Sequence, residues 1–118
     1  MKHTIIKITF MLLLAFATNQ IKAQSNVFTD TISVQGNCGE CKERIEDAAF
    51  IKGVKSASWN KEKDLLTVIY NAEKTTLEKI SLAVANIGHD TRLHTGNEKK
   101  YKKLPSCCAY RTNACLHD

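Results

Sequence analysis

The chain of 118 residues contains one proline, Pro105, and it lies near the C-terminus. A disulfide exchanger of the thioredoxin type needs a larger βαβ unit before its hairpin and a proline facing its cysteines, and neither is present. No Ser/His/Asp set, phosphate-binding loop or spaced carboxylate pair stands out, so no enzyme is expected. Long apolar runs are also missing. The longest stretch, residues 8–17, falls well short of the roughly 20 residues that span a bilayer. It follows Lys2 and Lys7 and gives way to a polar stretch ending Ile21-Lys22-Ala23. That order predicts an export signal over residues 1–23, cut after Ala23, and a product not embedded in a membrane. The expected location is the periplasm where the cell has an outer membrane, and otherwise outside the cell. No cysteine lies at the cut to accept a lipid.

Strong charge of one sign is absent as well. The formal net charge of +5 loses Lys2, Lys7 and Lys22 with the signal, so 14 basic residues face 12 acidic ones and the balance falls to +2. Such a balance gives no reason to expect a nucleic-acid partner. The local run Lys99-Lys100-Tyr101-Lys102-Lys103 reads as a solvated linker.

Cysteine is what the chain does hold. All five cysteines lie beyond residue 23, as a CxxC at Cys38 and Cys41, an adjacent pair at Cys107 and Cys108, and a lone Cys115. An exported protein meets oxidising conditions, yet five is odd, so at least one thiol stays free, binds metal or pairs outside the chain. The CxxC stands where a strand-like run, Thr31 to Gln35, meets a helix-like one, Cys41 to Ala49. In a first helical turn, unpaired backbone N–H groups favour a thiolate over a thiol, and Lys42 and Arg44 add positive charge nearby. Two soft ligands in that position make a metal or redox site.

Beyond the first helix, Lys52-Gly53 ends the segment. Residues 54–59 and 65–70 read as a hairpin around the polar turn 60–64, with Leu66, Val68 and Tyr70 on one face. Trp59 and Tyr70 are read as packing residues. Thr75-Thr76 offers a cap for a second helix whose stripe is Leu77, Ile80, Ala83, Val84 and Ile87, ending at Gly88. Residues 89–95 read as a last strand. The order is βαββαβ, so the expected fold is an α+β, ferredoxin-like sandwich with two helices on one face of a four-stranded antiparallel sheet. The expected domain covers residues 27–96, followed by a charged linker and Cys-containing tail over residues 97–118.

These features together resemble the heavy-metal-associated domain family of copper chaperones, periplasmic mercury-binding proteins and metal-pumping ATPase N-termini. The carriers are Val34 and Gly36, Cys38 and Cys41, the helix to Phe50, Gly53-Val54 and Ile87-Gly88-His89. The resemblance implies binding of a soft ion by two thiolates and handover to a metal-transporting membrane protein or another metal-binding domain. The family loop usually reads Gly-Met-x-Cys-x-x-Cys. Here Gly36-Asn37-Cys38 lacks the Met and is one residue shorter, which bears on loop rigidity and exchange more than on binding.

Cys38 and Cys41 are thus the expected metal ligands. Copper(I) accepts near-linear coordination by two sulfurs, whereas Zn²⁺ wants four ligands; Hg(II) would fit the same pair. Two thiolates and Cu⁺ carry a net charge of −1, which Lys42, Arg44 and the helix N-terminus can offset. A thiol-disulfide exchange protein using the same CxxC is the alternative function. His89 is either a further ligand or outer-shell group, or an ordinary exposed histidine; His94 reads as surface, and His117 is uninformative. For Cys107 and Cys108, adjacent thiols rarely pair with each other. The tail either folds back to cap the CxxC ion or forms a separate disulfide such as Cys108 to Cys115.

Overall fold

The computed structural model describes residues 1–5 and 25–112. The predicted export signal falls largely on residues 6–24, outside the described residues, as do Cys115 and His117. Among the described residues no helix is long and apolar enough to cross a membrane.

Strand β1 (Val27–Ser33) leads to helix α1 (Gly39–Ala49), then β2 (Val54–Asn60), β3 (Leu65–Asn71) and helix α2 (Leu77–Asn86). A short helix α3 (Glu98–Tyr101) and a 3₁₀ turn (Ser106–Cys108) follow. Alternation places Leu66, Val68 and Tyr70 on the buried face of β3, as expected of a strand with one face to the core. β3 is central, with β1 and β2 antiparallel on either side. Ile45 and Ala49 of α1 and Ile80 and Val84 of α2 close the core against Ile32, Leu66, Val68 and Trp59. The helix stripe read from sequence is rotated slightly. Ser81 and Ala85 are buried, whereas Ala83 and Ile87 are only half-buried.

The fold class holds, but the expected last strand is reduced to one bridge, Val34 to Thr91, so three full strands pair among the described residues. Two backbone bonds flank the bridge: Gln35 N–H to the Asp90 carbonyl at 2.8 Å and Arg92 N–H to the Ser33 carbonyl at 3.0 Å. The chain then turns away. The Thr91 N–H donates to the His94 carbonyl at 2.8 Å, and the His94 N–H donates to Thr91 Oγ1 at 2.9 Å. Ser81 Oγ lies 2.6 Å from Thr91 Oγ1 and 3.1 Å from His94 Nδ1. His94 is therefore half-buried on α2 rather than a free surface residue. Side-chain bonds of this local kind offer the backbone an alternative to a ladder.

That early turn leaves room for the tail. Gly88 sits at φ +103°, and a Cβ there would come within 2.7 Å of the Tyr101 backbone nitrogen. The end of α3 thus lies directly on the end of α2, and the chain beyond it brings residues 104–111 back toward the start of α1.

Candidate metal centre

Cys38 is the N-cap of α1, with extended φ/ψ of −146° and 172°, and its sulfur accepts a hydrogen bond from the Cys41 N–H at 3.4 Å. The motif therefore works as a capping motif in which sulfur occupies the place usually taken by a Ser or Asp oxygen. The two Sγ atoms stand 3.1 Å apart. Cys41 is fully buried, and its thiol donates to Asn37 Oδ1 at 3.4 Å. Asn37, directly before Cys38, thus contributes a polar contact that the sequence pattern did not reveal.

The loop is braced from below by Trp59. A Cβ on Gly36 would lie 2.9 Å from two carbons of the indole, and Trp59 Nε1–H donates to the Val34 carbonyl at 3.0 Å. Lys42 does not reach toward the thiols. Its ammonium pairs with Glu46 and donates to the Trp59 carbonyl at 2.9 Å, which ties α1 to β2. Of the groups expected to offset the thiolate charge, which were Lys42, Arg44 and the helix N-terminus, Lys42 is thus committed elsewhere.

The tail brings two more thiols to this point. Cys38 Sγ lies 3.3 Å from Cys108 Sγ and 3.6 Å from Cys107 Sγ. The sulfurs of Cys38, Cys41 and Cys108 all lie within 4.8 Å of one another. Cys107 instead groups with Cys108 and the Glu40 carboxylate. All four cysteines are free thiols. The tail folds back onto the CxxC, while Cys115, the partner in the alternative disulfide, lies outside the described residues.

The four thiols are not equivalent. Burial works against the Cys38 thiolate, but the Cys41 thiol and N–H beside it, together with the Cys108 and Cys107 contacts, leave its pKa below the ordinary thiol value. Burial pushes Cys41 up, despite the Asn37 and Cys108 contacts that act the other way. The contact with Cys38 and then burial push Cys107 up to about 11, and burial above all raises Cys108. In the metal-free protein Cys38 is thus the thiol that ionises most readily, and the other three hold their protons more tightly. A soft cation would displace the remaining protons.

His89 is fully buried, contrary to the reading of it as an exposed histidine. Its Nδ1–H donates to the Gln35 carbonyl at 2.8 Å, and its ring stacks on Tyr110 with centroids 5.3 Å apart. Nε2 is buried without a hydrogen-bond partner. Burial lowers its pKa, with Arg44 acting in the same sense and the Gln35 bond and Asp90 opposing. His89 does not group with the three sulfurs, so it supports the loop from Gln35 rather than joining the thiol cluster.

Residues 31–90 match the heavy-metal-associated domain model. The copper chaperone CopZ of Staphylococcus epidermidis is 35% identical over 63 residues, covering 52% of this chain and 93% of that protein. Among solved structures, a CopZ metallochaperone is 32% identical with a TM-score of 0.52, over 54% of this chain and 98% of the other. Oxidized MerP from Ralstonia metallidurans CH34 is 27% identical with a TM-score of 0.52, over 55% and 93%. The N-terminal domain of a potential copper-translocating P-type ATPase from Bacillus subtilis, in the Cu(I)-loaded state, is 26% identical with a TM-score of 0.53, over 61% and 92%. The match to the family ends before the tail that carries Cys107 and Cys108.

Proposed function

Because this chain belongs to the heavy-metal-associated domain family, we propose that it binds Cu(I) through Cys38 and Cys41 and passes the ion to a partner. The observation that carries this reading is the pair of sulfurs 3.1 Å apart across the first turn of α1, one of them capping the helix. The N-terminal N–H groups of α1 offset the negative charge of a bis-thiolate Cu(I) complex. The similarity to CopZ and to a Cu(I)-loaded ATPase domain supports copper, and the similarity to MerP keeps Hg(II) as a second soft ion for the same pair. The acceptor is a domain presenting its own thiolates, on a metal-transporting membrane protein or a soluble carrier. A signal over residues 1–23 would place the exchange outside the cytoplasm, and localisation of a tagged chain tests that.

The deciding measurement is an anaerobic Cu(I) titration of the reduced protein against a competing chelator, with Zn²⁺ alongside. Tight Cu(I) uptake that disappears in the Cys38→Ser/Cys41→Ser double variant is expected. Uptake that is weak and indifferent to that variant would discard copper carriage and direct attention to the reduction potential of the cysteine pair, where thiol-disulfide exchange would show itself.

A further inference from the structure

Two of the four gathered thiols suffice for the function proposed above, and the structure accounts for a third. Resting on that Cu(I) reading, we propose that Cys108 is an additional protein ligand to the ion held by Cys38 and Cys41. Residues 104–111 then form a thiolate lid that must give way before an acceptor can take the metal.

Cys108 is fully buried, yet its sulfur is not simply packed among apolar side chains. It lies 3.3 Å from Cys38 Sγ and forms, with Cys38 and Cys41, the group of three sulfurs within 4.8 Å. A buried cysteine used only as a small hydrophobe has no need of two other sulfurs beside it. Cys107 is placed differently. Half-buried, 3.6 Å from Cys38 and 4.0 Å from Cys108, it groups with Glu40 and lies outside the three-sulfur set. The 3₁₀ turn produces this division. The Cys108 N–H donates to the Pro105 carbonyl at 2.8 Å and the Ala109 N–H to the Ser106 carbonyl at 3.2 Å, so the two neighbouring side chains diverge.

The lid is fastened by contacts that involve no sulfur. Tyr110 O–H donates to the Gly88 carbonyl at 2.7 Å and accepts from the Asp90 N–H at 2.8 Å, with its ring on His89. Arg111 grips Asp90 through Nε and Nη2, at 2.9 and 2.7 Å, and reaches Glu98 through Nη1 at 2.7 Å. Its guanidinium lies 4.2 Å from the centre of the Tyr101 ring. A forked Arg–carboxylate pair fixes direction as well as distance. The tail thus has its own anchor, immediately after the thiol it delivers.

Cu(I) accepts a third sulfur without any change of oxidation state. On ligation the Cys108 thiol gives its proton to solvent. When an acceptor's thiolate replaces it, Cys108 takes a proton up again, and no electrons move. The protein thereby supplies internally the third ligand that a two-coordinate carrier leaves to its partner. The lid favours retention of copper and makes its release depend on detaching the tail.

The test is copper K-edge X-ray absorption on the full-length reduced protein with one equivalent of Cu(I), together with chelator competition. Three sulfur scatterers are expected in the wild type, falling to two in Cys108→Ser with affinity weakened by at least roughly tenfold. Cys107→Ser and Cys115→Ser are expected to keep all three scatterers. Arg111→Ala removes no thiol and still reports on the lid should Cys108→Ser not fold; it is expected to surrender copper to the chelator faster. Two scatterers in the wild type, loss of the third in Cys115→Ser, or an unchanged release rate in Arg111→Ala would overturn the lid while leaving Cu(I) on Cys38 and Cys41. Absence of tight Cu(I) binding in the wild type would instead overturn the copper reading itself.

Discussion

His89 shows how one side chain converts burial into pH dependence. Its Nδ1–H is bonded to Gln35, and protonation would add a second N–H at Nε2, where there is no acceptor. The folded state therefore holds His89 below its ordinary value of 6.5. A depressed histidine pKa means that the unfolded chain binds more protons, so stability is fully present above 6.5 and declines as pH falls from there toward the folded value. Denaturant unfolding of the reduced, metal-free protein at pH 7.5 and pH 5 should show this loss, and His89→Gln should flatten it; an equal slope in the variant would assign the effect elsewhere. Gly88 illustrates a constraint of shape. At φ +103° and with the Tyr101 backbone 2.7 Å from any added Cβ, Gly88→Ala is expected to cost about 1–3 kcal/mol, read from the denaturation midpoint.

At the level of elements, α1 and α2 both open on a capping side chain, and the α1 cap is a thiol of the proposed copper site. Thr76 accepts from the Lys79 N–H at 3.2 Å at the start of α2, so Thr76→Ala should lower stability by about 0.5–2 kcal/mol. Cys38 caps α1 through a sulfur at 3.4 Å. A serine hydroxyl is the better cap, and Cys38→Ser should therefore keep apo stability within about 0.5 kcal/mol of wild type or raise it while removing copper uptake. Loss of both together would mean that Cys38 serves the fold rather than the ion. The segment after Gly88 shows an element failing to form. Thr91, Ser81 and His94 satisfy one another in a turn, which outcompetes a strand whose ladder would extend beyond the Val34–Thr91 bridge.

Among the described residues the fold is closed by contacts of Tyr110 and Arg111 with the loop that follows α2. Arg111 is the main cause that holds the Asp90 carboxyl below its ordinary value of 3.8, so the clamp is intact above that value and is lost as pH falls through the depressed one. Asp90→Asn and Arg111→Ala should both free the tail without unfolding the sheet. Hydrogen exchange at the Cys108 amide, bonded to Pro105 in the closed form, is expected to accelerate in each, while amides of β3 stay protected. Uniform acceleration across β3 would show that the tail supports the core globally instead of closing over it.

Much of this was legible in the residues. The alternation of Leu66, Val68 and Tyr70, the stripe around Ile80 and Val84, the Thr76 cap and the glycine stops at Gly53 and Gly88 are local signals, and local sterics and burial determine the elements they mark. The spacing of Cys38 and Cys41 put both thiols across one helical turn for the same reason. What only the tertiary structure decided depends on residues far apart in the chain. Trp59 braces Gly36, Tyr110 covers His89, Arg111 finds Asp90, and Cys108 arrives beside Cys38 from 70 positions away. No periodicity encodes such meetings, because each exists only once the sheet, the helices and the early turn at Thr91 have fixed where the tail can lie.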